Sequence, residues 1–370
     1  MLLQENPFKF GTAADGSFFN DRSEELPKVK QMLSGRSHLA VISPRRYGKT
    51  SLVRKAVRQT GRPAIFVNVQ MAMSDCGLAE LLLKSFLAIH SWERFKDALR
   101  SFRARPVFSF NPETNGIDVS FEASARGDAA LEDVLNLLNN KSSPDARLIV
   151  VLDEFQEIAH LEPGTDKLLR GIMQLHENIN YLFLGSEESM MTAIFQDIKS
   201  PFFHFGPLMR LGRIPYEDFS AFLQERLESI RGEKSSQDAE EILLITKCHP
   251  FYTRQLAAAF WDQCVRSESQ PSVQSAADEI QLNLSASYLA VWSKLNRTHR
   301  KILDILAHGG KLHEIRDFPT STVYSAAARL KKDGLIVRDE DYDIEDPFFA
   351  LWIRRSMQQA ALGLPSGAAQ

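Results

Sequence analysis

The stretch Ser43-Pro44-Arg45-Arg46-Tyr47-Gly48-Lys49-Thr50-Ser51 constrains this chain more than any other. It satisfies the phosphate-binding pattern GxxxxGK(S/T) at every fixed position but the first, where Ser43 stands for glycine. Before it, the β-branched run His38 to Ser43 (HLAVIS) predicts a strand that stops at Pro44. After it, Leu52, Val53, Ala56 and Val57 recur at helical spacing up to Gly61, a C-terminal cap. A loop between strand and helix aims successive N–H groups at a phosphate, and the helix end adds partial positive charge. In that setting Lys49 reaches the β- and γ-phosphates and the Thr50 hydroxyl ligates Mg2+. Gly48 suits its place because a Cβ would obstruct the approach.

A second apolar run, Leu148 to Leu152, ends in Asp153-Glu154, where a neighbouring strand presents a carboxylate to the metal. Asp153 is read as the metal carboxylate and Glu154 as the group that orients and polarises an attacking water. Ser186, just past the run Tyr181 to Gly185, reads either as a γ-phosphate or water contact or as a helix N-cap. Arg45 and Arg46 are read as contacts to phosphate or a neighbouring subunit, or as solvated side chains. Arg210 and Arg213 are candidates for a transition-state charge, in cis or in trans.

The runs Ala64 to Val69, Leu148 to Leu152 and Tyr181 to Gly185 are apolar on both parities, as strands of a helix-covered parallel sheet must be. Between the last two, Leu168, Leu169, Ile172, Leu175 and Ile179 predict one helix over Asp166 to Ile179. Around Asn115-Gly116, two alternating segments predict a hairpin inserted at 106–123. Past Pro215 the pattern is helical, with Phe219, Phe222, Leu223, Leu227 and Ile230 on one face, and the polar stretch Arg266 to Glu279 reads as a linker. Beyond it, helix, short helix, helix, strand, turn and strand follow in winged-helix order. The expected fold class is therefore α/β: a P-loop core with a parallel sheet over 1–215, a helical lid over 216–285, a winged helix over 286–358 and a flexible tail over 359–370.

Lys plus Arg number 44 against 47 Asp plus Glu, a net charge of −3, so no whole-protein field draws the chain to nucleic acid or acidic membranes. Its 3 cysteines lack CxxC spacing, which argues against a disulfide framework or thiolate metal site and for a reducing compartment. With no leader-like start and no membrane-length apolar run, the expected location is the cytoplasm. There is no HExxH and no GxSxG to support a zinc or serine hydrolase.

With these features in place, residues 6 to about 356 resemble the archaeal-type ATPase family of P-loop proteins, relatives of the AAA+ and STAND ATPases. The resemblance shows at NPFKFG, FFNDRSEEL, SPRRYGKTSL, VVLDEFQEI, YLFLGSEESMM, SPFFHFGPLMRLGRIP, CHPFYTRQLA and DYDIEDPFFALWIRR. It implies ATP or ADP with Mg2+ between core and lid, slow or fast hydrolysis, and a nucleotide-driven switch. It also implies Arg22 near the adenine and His249-Pro250 in a lid motif over the nucleotide. Cys248 stands where relatives often have glycine. A protein partner or a homo-oligomer would use the switch. DNA is a further expected partner through Tyr324, Arg329 and Lys332 of the recognition helix, although 295–360 carries eleven basic against ten acidic residues and an acidic wing, a weak phosphate surface.

Overall fold

A computed structural model of the chain describes residues 5–11, 22–90, 96–111, 116–266 and 271–361. They form two compact units, one of residues 13–213 and one joining 1–12 to 214–370.

The first unit is α/β. Its strands are β1 (Leu39–Ile42), β2 (Ala64–Asn68), the hairpin β3 (Pro106–Asn111) and β4 (Gly116–Phe121), β5 (Leu148–Asp153), β6 (Ile179–Gly185) and β7 (Leu208–Arg210). Five of them make an all-parallel sheet in the order β2-β5-β6-β1-β7. Alternate side chains enter different cores, which is why the runs are apolar on both parities. Leu39, Val41, Ile149, Val151, Leu182 and Leu184 pack with the helices Glu25–Ser34 and Lys49–Thr60. Ala40, Ile42, Val150, Leu152, Tyr181 and Phe183 face the helices Asp75–Ala88 and Gly127–Asn140. The register aligns Ile42 with Gly185 and Arg210, and Asn68 with Asp153, so the ends of β1, β5 and β6 share one edge of the sheet.

The hairpin forms as the pattern predicts, with Phe108 opposite Val119, and its turn at Asn115 lies outside the described residues. The expected helix Asp166 to Ile179 ends early, spanning Thr165–Met173. Leu175 is exposed and Ile179 begins β6. The chain leaves the helix because Asn178 is held elsewhere: its N–H donates to Asn139 Oδ1 at 3.0 Å and its carbonyl accepts from Leu148 N at 3.0 Å. Strand β7, three residues at the sheet edge, carried no sequence signal.

The second unit is mostly helical: Tyr216–Arg231, Ser235–Thr246, Pro250–Val265, Val273–Ser293, Arg297–Ala307, Thr320–Lys332 and Pro347–Ala361, with an antiparallel pair β8 (Ile336–Arg338) and β9 (Tyr342–Ile344). Half of the expected linker is the first turns of the helix Val273–Ser293. Ser272 caps it, accepting from Ser275 N at 3.0 Å, and Val273, Ala276, Ala277 and Ile280 are buried on one side. Polar composition hid that face; residues 267–270 lie outside the described residues. One apolar cluster runs from Phe219 through Trp261 to Ile353, across the sequence boundary drawn at 285. Residues 5–11, expected with the α/β core, also belong here. Asn6 Nδ2 donates to Ala258 O at 3.1 Å and Asp262 Oδ1 at 2.8 Å, and the ring of Phe8 meets Phe222 and Trp261 edge-on.

Candidate active site

The loop leaves β1 at Ser43, which is fully buried, donates its N–H to Gly185 O at 3.3 Å and turns its hydroxyl to Pro44 O at 3.1 Å. Two loop residues then take the left-handed conformation, Arg46 at φ 69° and Gly48 at φ 81°. The demand for glycine on the protein side is this φ, since a Cβ at Gly48 would meet no protein atom within 4 Å. Arg45 and Arg46 are exposed, whereas Tyr47 and Ser51 are buried and Pro44 partly so. The helix Lys49–Thr60 starts directly after Gly48 with no side-chain cap, so the loop is backed by the N–H groups of a helix end.

Strand β5 brings its acidic end to the same place. Thr50 Oγ1 donates to Asp153 Oδ2 at 3.0 Å. The buried ammonium of Lys49 lies 3.9 Å from Asp153 Oδ1 and 3.7 Å from Glu154 Oε1, an ion pair beyond hydrogen-bond distance. Burial lowers the Lys49 pKa, more than Glu154 and Asp153 restore it, and Arg45 adds to the lowering. For Glu154, burial raises the pKa, but Lys49 and hydrogen bonds from Gln156 and Ser186 outweigh it and hold the carboxylate below its ordinary range. The lysine favours the ionised form of Glu154, and the two carboxylates oppose the loss of charge that burial imposes on Lys49.

Glu154 is held tightly for a carboxylate at a strand end. Its backbone is left-handed, at φ 52°, and its N–H donates to Asp153 Oδ1 at 3.1 Å. Its Oε2 accepts from Gln156 Nε2 at 2.7 Å, Ser186 Oγ at 2.6 Å and Ser186 N at 3.3 Å. Ser186 is thus not the N-cap of the helix Glu188–Gln196, whose N-cap position is Glu187. Its hydroxyl orients Glu154 instead. Sequence reading missed Gln156, which is 1% exposed; the one hint was an amide between Phe155 and Ile158, both buried.

Thr50 and Asp153 supply two hard oxygens 3.0 Å apart. Among the described residues no group of three or more His, Cys, Asp or Glu could hold a metal. Two oxygens from the protein fit Mg2+, which keeps waters and takes phosphate oxygens.

Other expected site residues sit differently. Arg22, expected beside the adenine, is 2% exposed and its guanidinium is spent on Tyr47 O, Gly212 O and Glu25. The aromatic residues before it, Phe18 and Phe19, lie outside the described residues. Arg210 donates from Nη2 to Thr192 Oγ1 at 3.1 Å on the exposed edge strand, and Arg213 is half-buried. His249 and Pro250 are in the helical unit. His249 caps the helix Pro250–Val265, its Nδ1 accepting from Phe251 N at 3.1 Å and Tyr252 N at 3.4 Å, and its Nε2–H donates to Glu345 Oε1 at 3.1 Å. Cys248, in the place where glycine is common, is left-handed at φ 58°.

Neither a protein-family model nor a curated protein matches the sequence. Solved structures do match the fold. A Walker-type ATPase of Pyrococcus abyssi is 18% identical, covers 96% of this chain and 100% of its own, and gives a TM-score of 0.67. The ORC2 protein of Aeropyrum pernix, solved with ADPNP and ADP, is 15% identical over 96% of this chain and 99% of its own, TM-score 0.54. The ORC1 protein of the same organism, in complex with DNA, is 14% identical over 97% and 100%, TM-score 0.50. The likeness is one of fold: an α/β unit on a parallel sheet together with a helical unit.

Proposed function

We propose that this chain is an Mg2+-dependent ATP-binding protein that hydrolyses ATP to ADP and phosphate and acts as a nucleotide-driven switch. The observation that carries the reading is the meeting of Lys49 and Thr50, from the loop after β1, with Asp153 and Glu154 at the end of β5. A buried cation, a helix N-terminus and a left-handed loop form a receptor for a polyphosphate. Bound Mg2+, held by Thr50 and Asp153, would neutralise charge on the phosphate oxygens. On phosphate binding, Lys49 gains a stronger anionic partner than Glu154, and the carboxylate is released to accept a proton from water. Ser186 and Gln156 keep it aimed while that exchange takes place. Arg210 or Arg213 would supply a further positive charge. The likeness to archaeal-type ATPases and their STAND relatives, and a cytoplasmic setting, belong to the same proposal.

The test is phosphate release by wild type, Lys49→Ala and Glu154→Gln. Loss of turnover in both variants is expected; undiminished turnover in both overturns the reading.

A second reading, control of DNA binding, rests on a specific surface. We read Arg297–Ala307, Thr320–Lys332 and the pair β8–β9 as a winged helix. Ser321, Tyr324, Ser325, Arg329 and Lys332 of its second helix are all exposed. Arg329 is partly committed, its Nε donating to Asp333 Oδ2 at 3.1 Å. Salt-sensitive duplex binding weakened by Lys332→Ala supports this reading, and no binding at low salt removes it.

A further inference from the structure

The phosphate loop has a weak joint, and one buried side chain is placed to hold it. The joint is the peptide between Tyr47 and Gly48. Glycine takes left-handed and right-handed φ at similar cost, so a peptide preceding it flips more cheaply than any other in the loop. In a trans peptide the C=O and N–H point in opposite directions. Whatever fixes the Tyr47 carbonyl therefore fixes the Gly48 N–H, one of the donors that a phosphate in this loop would need.

Arg22 fixes that carbonyl. Its Nη2 donates to Tyr47 O at 2.7 Å and to Gly212 O at 3.0 Å, just beyond β7, and its Nη1 pairs with Glu25 Oε1 at 3.0 Å at the start of a helix. The guanidinium thus spans three segments that are remote in sequence and ties the loop to two rigid elements of the same α/β unit. Only a planar fork with several donors serves two carbonyls and a carboxylate together; a lysine ammonium has neither the reach nor the geometry. With 2% of its surface exposed, Arg22 offers no face for a base to stack on.

We infer that Arg22 is a positioning residue that locks the Tyr47–Gly48 peptide so that the Gly48 N–H faces the phosphate, rather than a residue that reads the base. The inference rests on the phosphate site proposed above. It predicts an effect confined to the phosphate half of the ligand.

Displacement of a fluorescent ADP by pyrophosphate and by adenosine, measured on the full chain with and without Arg22→Lys, separates the possibilities. The expected result is pyrophosphate affinity at least tenfold weaker and adenosine affinity changed less than twofold, with ADP weakened to match pyrophosphate. Equal losses for pyrophosphate and adenosine, or no loss for either, overturn the inference. Failure of the wild type to bind ADP instead overturns the phosphate site itself. Should Arg22→Lys not fold, Glu25→Gln frees the guanidinium without removing it. The same selective, smaller loss is then expected, and unchanged pyrophosphate affinity overturns the inference. Amide exchange at Gly48, faster in either variant without nucleotide, is a readout that a general loss of stability would not confine to the loop.

Discussion

Acid should unfold this protein through two histidines at the opposite end of the sheet from the phosphate loop. His176 is buried, with Nδ1 accepting from Tyr181 Oη at 2.7 Å and Nε2–H donating to Asn136 Oδ1 at 3.2 Å. His38 accepts from Tyr181 N at 3.2 Å and stacks on Phe205, over whose ring Arg170 also lies. Burial first, then the Arg170 charge, lowers the His38 pKa to about 4 from 6.5; burial, then His38, does the same to His176. Both rings are therefore neutral when folded and protonate near pH 6.5 when unfolded, so stability is present above that pH and is lost as pH falls toward 4. Between pH 7 and 5 each histidine accounts for about 1.8 kcal/mol, and after discount for solvent access and mutual repulsion the pair costs about 2–3 kcal/mol. Urea unfolding at pH 7, 6 and 5 measures this directly. The variant His38→Asn/His176→Gln keeps an acceptor near each bonded nitrogen but cannot titrate, so its stability should fall by about 2–3 kcal/mol less over the same interval. An identical acid slope in both proteins would refute the reasoning, whatever the carboxylates contribute, because they are common to both.

Two further outcomes follow from the surroundings of the site. A Cβ at Gly185 would crowd Met191 and lie 2.8 Å from Gln156 Oε1, so Gly185→Ala should cost about 1–3 kcal/mol in a melt. It should also slow phosphate release more than it weakens ADP binding, because the displaced group is the one that holds Glu154. Asp75 is pushed up to about 6 by burial, against the hydrogen bond from Thr165 and together with the nearby carboxylate of Glu162. Its contribution is therefore complete below its unfolded value and is lost as pH rises through about 6, so the stability of Asp75→Asn relative to wild type should rise between pH 5 and pH 7.5. An unchanged difference between wild type and variant across pH 5 to 7.5 would contradict this.

The strands, the loop and the two acidic residues were legible because each has a local signature: apolar runs, a fixed spacing and a strand end. Gln156 and Arg22 show what local signatures leave out. Gln156 gains its role from Glu154, whose left-handed backbone turns its carboxylate toward the amide, and nothing in the string announces that conformation. Arg22 was placed by resemblance, yet its partners Tyr47 and Gly212 become neighbours only when β1 and β7 pair. The helix expected to reach Ile179 failed because periodicity cannot see Asn139 holding Asn178. Polar composition concealed the start of the helix Val273–Ser293, where small residues make the buried face.

The central claim is that the loop after β1 grips a polyphosphate opposite Asp153. Equilibrium titration of the full chain with ATP, with and without Mg2+, tests it most directly. Saturable binding strengthened by Mg2+ is predicted, with Lys49→Ala at least about tenfold weaker, as loss of a buried charge-assisted contact requires, and Asp153→Asn insensitive to the metal. Binding by Lys49→Ala as tight as by the wild type, or no saturable binding by the wild type, would contradict it.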